Sequence, residues 1–328
     1  MKPLHVSYES INYNNADQHG VFFRFLFGSG DSGEACDFET GLPQIYGQSV
    51  RETWRCEGTP QRLCAGRVNA ITCGGYLMAA AQIDTDDLRA DTYEVYQQLL
   101  DFIHAQGFHD IVRIWNTVPD INGGDGDQER YKQFCLGRAE AFDAAHMAQR
   151  QPPAATAVGS APEQPLRVFI LAALQAPQLV ENPRQVSAFA YPRVYGPRSP
   201  SFSRASLLDT HGRRQMFLSG TAAIVGHESQ HEGDDSRQIN VLLENIRTLI
   251  RNADLADASA TLRVYVRDMK LAQTVREHMA ALTNQPERLV ILAADICRRE
   301  LLVEVDGVIE CARPAAAEQQ HPPISRAS

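Results

Sequence analysis

The chain has 328 residues, enough for two domains of about 100 to 200 residues each, and its composition (44% hydrophobic, 22% charged) is that of a globular protein. A net charge of −9 argues against nucleic acid as the main partner, because phosphate backbones are held by clustered Lys and Arg; an anion site here must be a local basic pocket. No apolar run reaches the roughly 18 to 20 residues of a membrane span, and residues 1–5 (MKPLH) lack the apolar core of a signal peptide, so the expected setting is the cytoplasm, with no membrane partner.

Taken in chain order, 21–28 (VFFRFLFG) and 76–83 read as strands, dense in apolar residues and bounded by Gly or Asp. Over 87–106, Val95, Leu99, Phe102 and Ile103 recur at helical spacing, and Gly107 supplies a stop. A strand at 110–115 and a second helix at 129–148 follow. Pro152 and Pro153 then open a Pro-, Ala- and Ser-rich stretch to Pro165 that reads as a loop or linker. Strands are expected at 166–174 and 186–191.

The second half repeats this order. Strands fall at 215–219 and 221–225, and a helix at 238–252 carries Ile239, Leu242, Ile246 and Leu249. A strand at 262–267, a helix at 271–282 and strands at 289–296 and 301–309 complete the half. The shared pattern of strand, strand, helix, strand, helix, strand, strand predicts a duplicated α+β domain, with helices on one face of a mixed sheet.

Several motifs suggest chemistry that their surroundings do not support. His227-Glu228-Ser229-Gln230-His231 spells the zinc-protease pattern, but it lies between Gly226 and Gly233 directly after a strand, where no helix sets both imidazoles on one face. The extended form needs glycine at 234 and histidine at 237, and the chain has Asp234 and Arg237. A polar loop lining a pocket is the better reading. The run 120–127 (DINGGDGD) lacks the sixth-position glycine of a calcium loop, and 28–33 (GSGDSG) is not followed by a helix start. The seven cysteines are odd in number, form no C-x-x-C pair and read as reduced thiols.

Two segments are more informative. Residues 191–204 set three arginines and two tyrosines among turn residues, which suits carboxylates held by guanidinium forks; solvated arginines on a linker are the plainer alternative. In 301–306 (LLVEVD), alternation puts Leu302, Glu304 and Asp306 on one face and Leu301, Val303 and Val305 on the other. A carboxyl among apolar neighbours is desolvated, which raises its pKa and can keep it protonated as a general acid. A solvated Glu on an edge strand is the alternative.

Residues 197–226, with the Ser219-Gly220 pair, and the later Pro286-Glu287-Arg288 and 302–306 (LVEVD) resemble the RidA/YjgF family. The fuller strings 195–205 (YGPRSPSFSRA), 219–228 (SGTAAIVGHE) and 295–304 (DICRRELLVE) resemble the chorismatase/3-hydroxybenzoate synthase family, over most of the chain and most strongly from 190 to 310. That resemblance implies two RidA/YjgF-like (chorismate-mutase-like) α+β units: a diverged N-terminal one over 1–194 and a catalytic one over 195–314, then a flexible tail over 315–328. It implies no metal or organic cofactor, and its members carry the same Gly-His-Glu-Ser string without zinc.

By the same resemblance the substrate is chorismate, the active-site acid is Glu304, and Cys297, seven positions earlier, marks members that form hydroxybenzoate. The two substrate carboxylates fall as a set to Arg138, Arg198 and Arg204, with Tyr195 hydrogen bonding nearby; Gly220, Thr221 and Ala222 line the pocket wall. The implied products are pyruvate and 3-hydroxybenzoate, with 4-hydroxybenzoate also open. The alternatives are hydrolysis to a dihydroxycyclohexadiene carboxylate, a RidA-like imine deaminase anchoring its substrate on Arg288, and a metabolite-binding protein with an inert site. A monomer is favoured, because a two-unit chain can satisfy internally the contacts that RidA-like trimers make between subunits.

Overall fold

Apolar residues at helical spacing between a good cap and a glycine stop define the first helix. The computed structural model describes residues 1–11, 19–28, 37–147, 151–283 and 285–312. In it the Asp87 side chain accepts the Arg89 and Ala90 N–H groups, the helix buries Val95, Leu99, Leu100 and Ile103, and Gly107 follows at φ +81°.

Four strands within the described residues before 56 form a layer of their own. β1 (His5–Ser10), β2 (Val21–Leu26), β3 (Asp37–Glu39) and β4 (Val50–Arg55) make a four-stranded sheet in the order β1-β4-β2-β3. Next come β5 (Gln61–Ala65), β6 (Val68–Cys73), β7 (Tyr76–Ile83), α1 (Leu88–Ala105), β8 (Asp110–Pro119), α2 (Arg130–Ala144), β9 (Ala154–Ser160) and β10 (Leu166–Ala173), whose strands order as β5-β6-β7-β10-β8-β9.

The second unit comprises β11 (Gln178–Val180), β12 (Ala205–Thr210), β13 (Arg213–Thr221), a small hairpin of β14 (Ile224–Val225) and β15 (Glu228–Ser229), α3 (Asp235–Asn252), β16 (Ser259–Val266), α4 (Ala272–Met279), β17 (Leu289–Ala293) and β18 (Val303–Ala312). Its six-stranded sheet runs β11-β12-β13-β18-β16-β17. Strand for strand this is the order of the first unit, and in each the last-listed neighbours, β8 with β9 and β16 with β17, are the parallel pair. The α+β duplication expected from the repeated pattern is therefore present. The second sheet takes its edge strand, β11, from upstream of residue 195.

Each six-stranded sheet packs its two helices on one face. α1 and α2 cover Leu77, Ile114 and Ile170, and α3 and α4 cover Leu218, Leu262 and Val305. The opposite faces meet an aromatic layer from the four-stranded sheet: Phe25 packs edge-on to Trp115 and Phe169, and Trp54 stacks on Phe217. Among the described residues no helix is long and apolar enough to cross a membrane.

Three sequence expectations are corrected. The stretch read as a linker contains β9, which pairs in parallel along β8 from Ala154 to Ser160. Its Ala and Gly residues serve close packing: a Cβ on Gly159 would collide with Asp295 and Ile121. The run 186–191 is no strand but a single 3-10 turn at Ala188–Ala190, because the prolines on either side, Pro183 and Pro192, remove ladder donors. The strand at 21–28 belongs to the extra sheet, so the first unit opens with β5, β6 and β7. The G-x-G-x-x-G run past residue 28, Cys36 and the tail from 313 lie outside the described residues.

Candidate active site

The edge strand β9 of the first unit does not end in solvent. Its Ala154 and Ala155 N–H groups donate to the hydroxyls of Ser206 and Ser219, which stand on β12 and β13 of the second unit. Beside this seam lies a cavity of about 250 Å³. α2 contributes Tyr131, Lys132 and Arg138, and β9 contributes 155–157; the second unit contributes Arg204, Gly220, Ala222, Cys297 and Glu304, with Tyr191, Tyr195 and Phe202 from the connecting segment.

Glu304 is the second residue of β18, opposite Tyr265 of β16, and only 4% exposed. Burial, and then the neighbouring Asp306 carboxylate, push its pKa from 4.5 up to about 8, while the Arg113 and Arg204 guanidiniums pull the other way. The carboxyl is therefore protonated at neutral pH. It lies against the backbone of β13: a Cβ on Gly220 would collide with Glu304 Oε1. The β13–β18 register slips between Leu218 and Thr221, a bulge that brings Gly220 to this position.

Two arginines flank the cavity. Arg138 is buried, its guanidinium 4.9 Å from the Phe134 ring centroid, and its Nε and Nη2 have no partner among the described residues. Arg204 is also buried; its Nη2 donates to Val186 O and Tyr191 Oη, each at 2.8 Å, and its Nε is unpartnered. Unpartnered guanidinium N–H groups beside a cavity suit an anionic guest. Tyr195 forms part of the wall, with its Oη 3.2 Å from His227 Nδ1. Cys297 borders the same space; burial, then the Glu304 charge, push its thiol well up, so it keeps its proton.

Two expected residues stand elsewhere. Arg198 is exposed and ion-paired at 2.9 Å with Asp143 near the end of α2, outside the cavity, because that carboxylate gives it a solvated partner. Thr221 is buried but does not line the cavity. Strand alternation turns it away from the side of Gly220, and its hydroxyl donates to Ser219 O. Arg288, the anchor of the deaminase alternative, is in a turn before β17 and is not a lining residue.

The sequence missed several contributors. Arg298 spreads over the Tyr195 ring at 4.0 Å from its centroid and donates to His227 O and Ser229 Oγ, bracing the cavity wall. Arg299 reaches Gly124 O, closing the wall onto the first unit. Both lie in the quoted string 295–304, beside Cys297. Thr156 carried no signal at all, being one small residue in an Ala-rich stretch. The H-E-x-x-H run is a hairpin and turn: Glu228–Ser229 is β15 and His231 sits at φ +53°, so its histidines are not one helical turn apart.

The whole architecture has a solved counterpart. A chorismatase crystal structure superposes with a TM-score of 0.82 at 27% identity, over 94% of this chain and 98% of that one. The fold is thus that of the chorismatases. A family model described as "Chorismatase FkbO/Hyg5-like, N-terminal" matches residues 52–172. The 3-hydroxybenzoate synthase of Streptomyces hygroscopicus is 36% identical over 316 residues, 87% of this chain and 92% of the relative. A chorismatase of Streptomyces rapamycinicus is 36% identical over 277 residues, 80% of this chain and 83% of its own length. The chain belongs to the chorismatase family.

Proposed function

We propose that this enzyme cleaves the enolpyruvyl ether of chorismate to pyruvate and 3-hydroxybenzoate, with Glu304 as the general acid. One observation carries the reading: a buried, protonated carboxyl and two arginines with unpartnered N–H groups border a single cavity of about 250 Å³. The relatives named 3-hydroxybenzoate synthase and chorismatase support the substrate.

Chorismate carries two carboxylates, one on the ring and one on the side chain, and Arg138 and Arg204 hold them by charge-assisted hydrogen bonds. Glu304 protonates the terminal methylene of the enol ether. The ether carbon becomes an oxocarbenium ion, and the new carboxylate stabilises it across a short gap in a site of low dielectric. Internal displacement and loss of a ring proton then rearomatise the ring and release pyruvate; the atoms of the two products sum to those of chorismate, so no water is consumed.

Cys297 takes part in this proton movement as a thiol, since its surroundings disfavour the thiolate. Capture of the cation by water gives the dihydroxycyclohexadiene carboxylate instead, and a different proton loss gives 4-hydroxybenzoate. Both walls of the cavity come from one chain, which supports a site complete in the monomer.

The test is incubation with chorismate, with pyruvate read by a coupled dehydrogenase and the ring products separated by chromatography. Pyruvate and 3-hydroxybenzoate in equal amounts are expected. No pyruvate overturns the reading, and pyruvate with only the diol moves the enzyme to the hydrolytic branch.

A further inference from the structure

Behind Glu304 lies a buried polar cluster to which the proposed reaction assigns no role. Asp306, two residues further along β18, turns to the same side as Glu304 and is fully buried. Its Oδ2 accepts from Arg113 Nη2 at 2.9 Å, Tyr265 Oη at 3.0 Å and Thr156 Oγ1 at 2.7 Å. Arg113 also donates to the Thr156 hydroxyl. Arg113 and Thr156 belong to β8 and β9 of the first unit, whereas Tyr265 and Asp306 belong to β16 and β18 of the second. The cluster bolts the two units together directly beneath the acid.

Three donors converging on one carboxylate oxygen, one of them a guanidinium, favour its ionised form. Two neighbouring carboxyls in a buried site do not both ionise readily, and the donors here converge on Asp306 rather than on Glu304. We propose that Asp306, fixed by Arg113, Tyr265 and Thr156, is a positioning residue whose carboxylate helps keep Glu304 carrying its proton until the substrate takes it. The inference rests on the reaction proposed above.

The groups around Glu304 set the sign of the effect. Burial and then Asp306 on β18 favour its neutral form; Arg113 on β8 and Arg204, just before β12, favour the carboxylate. Cys297 and Tyr265 are neutral neighbours, and Arg138 from α2 lines the same cavity. Removing the Asp306 charge leaves burial alone to oppose the two arginines, and Glu304 loses its proton at lower pH.

Asp306→Asn keeps the shape of the side chain while removing its charge. The alkaline limb of kcat/KM on chorismate should move down by about 1 to 3 pH units, with kcat at neutral pH falling and KM little changed. Combining it with Arg113→Met removes the opposing charge, and the limb should return toward its original position. A readout without substrate runs beside these: infrared titration of the protonated carboxyl in the free enzyme, assigned by its loss in Glu304→Gln.

That band should shift with the limb. A folded Asp306→Asn enzyme in which neither the limb nor the band moves overturns the proposal, as does a shift that the double variant fails to reverse. If Asp306→Asn alone does not fold, the double variant carries the test. Its band must then titrate as in the unaltered enzyme, and a band moved by more than about one unit overturns the idea. Should the unaltered enzyme release no pyruvate, the reaction reading fails by itself and the infrared titration still decides the role of Asp306.

Discussion

At the scale of single residues, the proposed chemistry depends on a carboxyl that holds its proton at neutral pH. Because the Glu304 pKa is raised to about 8, the acid form is present below that pH and lost above it. We therefore expect kcat/KM to fall as pH rises through about 8, a profile that stopped-flow release of pyruvate would check. Glu304→Gln should reduce kcat by about 100-fold or more while retaining affinity for the product 3-hydroxybenzoate, measured by calorimetry. The same substitution should help the fold. A folded pKa above the unfolded 4.5 means that stability is fully present below 4.5 and declines as pH rises to about 8, so the gain in Tm of Glu304→Gln should grow over that window.

Glu304 could be singled out in the sequence because alternation placed it on a mixed strand face. Its protonation depends on burial and then on Asp306, Arg113 and Arg204, which come from three different strands or their ends, so no sequence spacing carried that information.

At the scale of elements, the bulge in β13 and the small residues of β9 matter most. Gly220→Ala would place a methyl group on Glu304 Oε1. The atom displaced is the end of a flexible side chain, so the protein should fold with a nearly unchanged Tm while kcat drops by about 100-fold from misplacement of the acid. A thermal melt beside a pyruvate assay separates the two effects. The His227–His231 region gives a second check. With Glu228 and Ser229 in a hairpin and His227 beside Tyr195, turnover should be insensitive to a chelator, and loss of turnover on dialysis against one would refute that.

Helices α1 and α3 were legible because their periodicity and caps are local. β9 was not: its residues are poor strand formers, and its place is fixed by β8 on one side and by serine hydroxyls of the other unit on the other.

At the scale of the molecule, an extra sheet and two similar units share one interior. Arg263 on β16 pairs with Glu52 on β4 through two short hydrogen bonds of 2.6 and 2.5 Å, both residues buried, and the Trp54 indole donates to the same carboxylate. Breaking such a pair from one side leaves a buried charge uncompensated, so Glu52→Gln should cost about 3 to 5 kcal/mol, read from chemical unfolding. The pair ties the four-stranded layer to β16, the strand whose Tyr265 stands opposite Glu304.

The sequence by itself determined the α+β class, the repeated order of strands and helices, and the residues from which an acid and a carboxylate-binding pair could be drawn. Those features follow from local periodicity and side-chain chemistry. Only the tertiary structure decided which arginines border the cavity, sending Arg198 to Asp143 and leaving Arg138 and Arg204 in the wall. It also decided that Glu304 keeps its proton, because that depends on burial and on charges brought together by strands from both units.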